Sequence, residues 1–165
     1  YLKENEKEKL LIIGDGEERD KLNQLIQKNN LSKNNFILSK ITNVYPFMKN
    51  AKALILSSLW EEVGFVIVEA AFCNLFVIST DCPNGPKEFL ENGIAGYLFN
   101  SNKENQLKTK IKKFAEEEKN LKKFKIKAKK NSSNYTLFRH HLSLKKILSN
   151  EKKTQKIFIK QYLCH

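Results

Sequence analysis

Four short apolar runs, Leu10–Ile13, residues 36–38, Ala53–Leu56 and residues 75–78, constrain most strongly how this chain can fold. Each is uninterrupted by polar residues and too short for an ordinary buried helix, and residues that break regular structure lie between them. A strand that is apolar on every side chain is covered on both faces, which is how parallel sheets read and how sheets with one wet face do not. Segments of helical spacing lie between the runs. In residues 17–29, Leu22, Leu25 and Ile26 share a face behind acids that complement the helix dipole. Residues 44–50 carry Pro46 in their first turn, and residues 64–73 are expected to pack through Phe65, Val68 and Phe72 at i, i+3 and i+7. Asn92 and Gly93 mark a turn before a last short strand, Tyr97–Phe99. This alternation predicts an α/β domain with a parallel sheet and helices on both faces.

The net charge of +12 is unevenly placed. Residues 1–100 hold 11 basic and 13 acidic side chains, and residues 101–165 hold 19 and 5. The basicity therefore belongs to the tail, where Leu107, Ile111, Phe114, Leu121, Phe124 and Ala128 form apolar stripes with lysines between them. We divide the chain into a core, residues 1–100, and a lysine-rich helical region, residues 101–165, packing on the core or extending from it. Pattern weakens through Phe138, Leu142, Ile147 and Ile157. No apolar run approaches the roughly 18 residues of a membrane-spanning helix, and no secretory signal pattern opens the chain. Cys73, Cys82 and Cys164 lack metal-ligand spacing, which argues against a metal site and a disulfide framework and for a reducing, cytoplasmic setting. Because the chain opens on Tyr1 rather than methionine, we expect a fragment.

The chemistry concentrates in residues 57–72, where Glu61 and Glu69 stand eight positions apart with Gly64 between them at an expected helix start. Parallel sheets bind ligands beyond the carboxyl ends of their strands. Residues 14–16, 57–64 and 79–85 are the loops that occupy such positions here. A helix start offers unpaired N–H groups and a positive dipole end, and a glycine lets a phosphate approach the backbone. Carboxylates on either side of a diphosphate can accept hydrogen bonds from hydroxyls at both its ends, which is the layout of a nucleotide sugar. Paired glutamates are also common on solvated surfaces, but Glu69 interrupts an apolar stretch, where an acid is costly unless it is paired or ligand-bound.

Other residues carry blander readings. His140 and His141 sit in the basic tail without partner carboxylates and read as surface. Cys73 reads as core packing. Asp81 suits loop capping, and Glu88 suits the organisation of a helix start. The lysine-rich tail reads as a solvated face or as a patch for anionic lipid headgroups. It lacks the aromatic interleaving of a nucleic-acid site, so no nucleic acid is expected as a partner.

Taken together, the segments LLIIGDGEERDKL, NVYPFMKNAKALILSSLWEEVGFVIVEAAFCNLFVISTDCPNGPKEFL and NGIAGYLF strongly resemble the C-terminal, donor-binding half of GT-B glycosyltransferases of family 4, also called group 1. The likeness runs over about residues 9–100 and keeps order and spacing. It implies a Rossmann-like domain, one half of a GT-B fold, in a retaining hexosyltransferase. On this resemblance Glu61, the first acid of an E-x7-E motif, is the catalytic residue and contacts the donor hexose hydroxyls, while Glu69 binds the ribose hydroxyls. Gly64, Phe65 and Val66 face the diphosphate or sugar, Gly14 lines the nucleotide cleft, and Ile41 borders the base.

The implied donor is a nucleoside-diphosphate sugar, with no metal and no cofactor, and the implied acceptor is a cell-surface glycan or a lipid-linked glycan. Two departures stand out. Many members read EGFG or EGFP where this chain has Glu61, Glu62, Val63 and Gly64, which displaces the loop glycine. The family also supplies an Arg and a Lys for the diphosphate from a strand and loop ahead of the GDG turn, and these lie outside this chain together with the acceptor-binding half. The fragment alone is therefore expected to grip a donor without completing a transfer, at the cytoplasmic face of a membrane. An alternative is a non-catalytic nucleotide-binding remnant or interaction module whose basic tail binds an anionic membrane or polyanion.

Overall fold

The apolar runs become strands in the computed structural model, which describes residues 1–117 and 120–151. Strand β1 (Leu10–Ile13) pairs in parallel with β2 (Asn35–Leu38), with Leu10 opposite Asn35. Strands β3 (Ala53–Leu56), β4 (Phe76–Thr80) and β5 (Tyr97–Phe99) make a second parallel sheet with β4 at its centre. Helices α1 (Arg19–Lys28), α2 (Tyr45–Asn50), α3 (Phe65–Phe72) and α4 (Pro86–Phe89) lie between successive strands, with a 3-10 turn (Glu91–Gly93) following α4. Helices α5 (Glu104–Glu116), α6 (Lys122–Ser132) and α7 (Leu137–Glu151) follow the last strand. Ile157 and Cys164 lie outside the described residues.

Strand alternation divides the core in two. Phe76 and Ile78 of β4 point to one face, where they meet Tyr97, Phe99, Phe114 and Leu121. Phe76 centres an aromatic group there, with ring centroids 4.9 Å from Tyr97 and 5.3 Å from Phe114. Val77 points to the other face and joins Ile67, Val68, Ala70 and Ala71 of α3, Phe89, Leu90 and Ala128. Every residue of β4 is buried, as expected of a strand covered on both faces. The lysine-rich region takes part in both layers, since α5 supplies Phe114, and α6 with the residue before it supplies Leu121 and Ala128.

The face of α3 differs from the sequence expectation. Val68 is buried, but Phe65 is 62% and Phe72 44% exposed, and the packing is done by Ile67, Val68, Ala70 and Ala71. Phe65 and Phe72 lie at i−4 and i+3 from Glu69, so they share the helix face that carries its one carboxylate. Small Ala70 and Ala71 therefore meet the interior, while Phe65 is left at the mouth of the loop before the helix.

Candidate functional site

The loop from Ser57 to Gly64 leaves the carboxyl end of β3 and is held from the neighbouring strand. Buried Thr80, the last residue of β4, donates its hydroxyl to the Ser58 carbonyl at 2.6 Å, and the Ser58 hydroxyl donates to Glu61 Oε1 at 2.6 Å. Glu61 is thus fixed by a loop that is itself fixed to the sheet. Gly64 is the N-cap of α3 with φ 65° and ψ 52°, in the left-handed region that L side chains disfavour. A Cβ on Gly64 would lie 3.9 Å from Glu61 Oε2, so the carboxylate sits against the start of the helix.

Ile67 N–H bonds to the Gly64 carbonyl at 2.9 Å, whereas the amides of Phe65 and Val66 have no backbone acceptor among the described residues. Those two orphan donors and the helix dipole make a seat for an anion. A cavity of about 300 Å³ opens there, lined by Trp60, Glu61, Glu62, Val63, Gly64 and Phe65. Trp60 is 58% exposed, so two aromatic rings, Trp60 and Phe65, rim an acid and a helix start. Glu69, one helical stretch further on, is half-buried, and its carboxylate makes no hydrogen bond or ion pair among the described residues.

A second group of predicted residues gathers at the carboxyl ends of β1 and β2. Arg19 donates to the Gly14 carbonyl at 3.3 Å, to Asp15 Oδ1 at 3.0 Å and to the Ile37 carbonyl at 3.3 Å. Asp15 Oδ2 accepts the Lys40 amide at 2.8 Å, and this bond comes first among the causes that hold the Asp15 carboxyl below its ordinary range. The turn at Gly14 and the loop at Lys40 and Ile41 are therefore tied into one unit. No hydrogen bond or ion pair among the described residues joins that unit to the Glu61 loop.

Four residues of the site were not visible as such in the sequence. Ser58, Trp60 and Thr80 fall within the loops expected to bind a ligand, but residue type alone singled none of them out. Gly85, with φ 47°, lies so close to the Glu61 loop that a Cβ there would meet the Val63 carbonyl oxygen at 2.6 Å. Of the blander candidates, Asp81 donates its amide to the Phe99 carbonyl at 2.9 Å at the end of the sheet, and Glu88 lies in the first turn of α4. His140 and His141 are exposed on α7.

A parallel sheet with helices on both faces and loops bearing an acid, a left-handed glycine and a helix start at the strands' carboxyl ends defines a Rossmann-like ligand-binding domain. The family model for glycosyl transferases group 1 matches residues 1–131, and the chain belongs to that family. An uncharacterized glycosyltransferase of Methanocaldococcus jannaschii is 46% identical over 82 residues, which cover 50% of this chain and 20% of that protein. The N-acetylgalactosamine-N,N'-diacetylbacillosaminyl-diphospho-undecaprenol 4-alpha-N-acetylgalactosaminyltransferase of Campylobacter jejuni is 31% identical over 121 residues, 73% of this chain and 33% of that protein. The crystal structure of TarM superposes with a TM-score of 0.79 at 26% identity, covering 90% of this chain and 29% of TarM. Anabaena HepE in complex with UDP gives a TM-score of 0.79 at 22% identity, over 87% of this chain and 41% of HepE. These neighbours share the GT-B fold of glycosyltransferases. The chain spans a fifth to a third of the length of these two curated relatives.

Proposed function

We propose that this domain binds a nucleoside-diphosphate sugar and, joined to an acceptor-binding half, transfers the hexose with retention to a glycan or lipid-linked acceptor. The observation that carries this reading is the Glu61 carboxylate, oriented by Ser58 and set against the left-handed Gly64 at the start of α3. In this reading the carboxylate accepts hydrogen bonds from the donor hexose hydroxyls. The diphosphate lies over the amides of Phe65 and Val66, where the helix dipole stabilises the charge that grows on the leaving nucleoside diphosphate. Glu69 takes the ribose hydroxyls, and the unit at Gly14 and Ile41 borders the nucleotide. No metal or cofactor is assigned to the reaction.

Relatives support the class of donor and acceptor. The Campylobacter enzyme is named for transfer to a diphospho-undecaprenol glycan, a Staphylococcus aureus relative for transfer of N-acetylglucosamine to poly(ribitol-phosphate), and HepE was solved with UDP. Lipid-linked acceptors suit a peripheral position at the cytoplasmic face of a membrane. Ile126, 58% exposed, is flanked on the surface of α6 by Lys122, Lys123, Lys129 and Lys130 at i±3 and i±4, a pairing of apolar and cationic groups that suits anionic headgroups. No helix among the described residues is long and apolar enough to cross a membrane. Calorimetry of the full-length protein with UDP, GDP and their sugars tests the reading. Binding weakened by Glu61→Ala is expected, and failure of every such ligand to bind would sink it.

A further inference from the structure

The cavity at the Glu61 loop is lined by two aromatic rings and two carboxylates, with no cation among its lining residues. Trp60, Phe65 and Glu62 are exposed there, beside half-buried Glu61. Rings of the interior are paired: Phe76 packs against Tyr97, Phe114 and Phe124, and Phe89 against Tyr135. Trp60 and Phe65 meet no other ring and no cation among the described residues. The acids show the same contrast. Glu4, Glu8 and Glu91 each pair with lysine, whereas no ion pair among the described residues involves Glu61 or Glu62.

Rings and carboxylates select different properties of a ligand. A large ring with a free face holds a pyranose by the sugar's apolar C–H face, whose slightly positive hydrogens meet the negative π cloud. Two carboxylates without a counter-cation set a negative potential, which a neutral ligand tolerates and an anionic one does not. The volume of about 300 Å³ lies at the lower end of the range for small-molecule sites, which suits a single sugar better than a whole nucleotide sugar. Trp60 directly precedes Glu61, so the bonds from Ser58 and Thr80 that hold this loop to the sheet fix ring and acid together.

We propose that Trp60 and Glu62 set the sugar selectivity of this site: the donor hexose stacks on the Trp60 indole, and Glu62, adding its charge to that of Glu61, rejects donors whose sugar carries a carboxylate. The inference rests on the donor reading above and narrows it to sugars without a negative charge. In that reading the charge of the diphosphate meets the amides of Phe65 and Val66 at the start of α3. A carboxylate on the hexose would instead meet the side chains of Glu61 and Glu62, and nothing in the cavity lining neutralises it.

Isothermal titration of the full-length protein tests the proposal, with UDP, UDP-glucose, UDP-galactose and their two uronates, and with GDP, GDP-mannose and GDP-mannuronate. For the nucleotide that binds, a hexose donor is expected to bind at least about tenfold more tightly than the matching uronate. Trp60→Leu should weaken the hexose donor about two- to tenfold and the nucleotide alone by less than about twofold, and Trp60→Phe should restore most of the loss. Glu62→Gln should narrow the gap between hexose and uronate about two- to fivefold, and added salt should narrow it in the unsubstituted protein. Any of four results would overturn the proposal: a uronate that binds as tightly as its hexose, a gap untouched by Glu62→Gln, a hexose donor indifferent to Trp60→Leu, or a Trp60→Leu loss shared equally by the nucleotide alone. Each of these leaves the donor reading standing. Failure of both UDP and GDP to bind would instead overturn that reading, and this inference with it.

Discussion

The Ser58 hydroxyl donates to Glu61 Oε1 at 2.6 Å while the Ser58 carbonyl accepts from Thr80 at 2.6 Å, so one residue links the candidate catalytic acid to the central strand. Hydrogen bonds to charged groups contribute about 1.5–3 kcal/mol. Ser58→Ala is therefore expected to weaken donor binding by the full-length protein roughly ten- to a hundredfold, with Ser58→Thr restoring part of it. Isothermal titration with the nucleotide sugar, alongside thermal unfolding, separates this loss from a general loss of stability.

Gly85 packs against the main chain of the same loop. A methyl group there would sit 2.6 Å from the Val63 carbonyl oxygen and 2.7 Å from its carbon, with φ at 47°. Overpacking and a positive φ that L side chains disfavour together cost about 2–5 kcal/mol, so Gly85→Ala should lower unfolding stability by that amount and displace the loop. Gly16→Ala, whose Cβ would meet nothing within 4 Å, should change stability by less than about 0.5 kcal/mol. Urea denaturation of the two variants makes the comparison.

Ser79 is fully buried in β4, and its hydroxyl has no hydrogen-bond partner among the described residues. An unsatisfied buried hydroxyl costs about 1–3 kcal/mol in lost hydration. Ser79→Ala is expected to leave stability unchanged or raise it by about 1 kcal/mol, against the usual loss for a core substitution. A lowered urea midpoint with an unchanged slope would show that the hydroxyl does have a partner.

Asp15 ties two loops through the Lys40 amide, and this bond, followed by smaller contributions from Ser39 and Arg19, lowers its pKa from 3.8. The folded-state pKa is depressed, so the stabilisation is fully present above the unfolded value and is lost as pH falls through the folded one. Lowering pH through that window should loosen residues 40 and 41, and Asp15→Ala should do the same at neutral pH. NMR titration of the Asp15 carboxyl, with exchange of the Lys40 amide, reads both effects. A carboxyl titrating at or above 3.8 contradicts the geometry.

Much of the fold was legible because apolar runs such as Leu10–Ile13 and Ala53–Leu56 carry their strand identity in consecutive residues. Helical spacing did the same for Leu107, Ile111 and Phe114. The orientation of α3 was misjudged by following Phe65, Val68 and Phe72 at i, i+3 and i+7, whereas Glu69 at i+4 from Phe65 marks the face of the two phenylalanines as the exposed one and Ile67, Val68, Ala70 and Ala71 turn inward. Glu61, Gly64 and Glu69 were legible by type and spacing. Ser58, Thr80 and Gly85 were not, because their roles depend on contacts between residues about 20 positions apart.

By itself the sequence determined the parallel α/β class, the places of strands and helices, and the acid-glycine-acid stretch, because each is written in local residue type and period. Tertiary structure decided which side of α3 faces inward, how Thr80 and Ser58 aim Glu61, and that the strands pair as two sheets, β1 with β2 and β3 with β4 and β5. Those outcomes depend on backbone hydrogen bonds and packing between distant segments, which residue type and spacing do not specify.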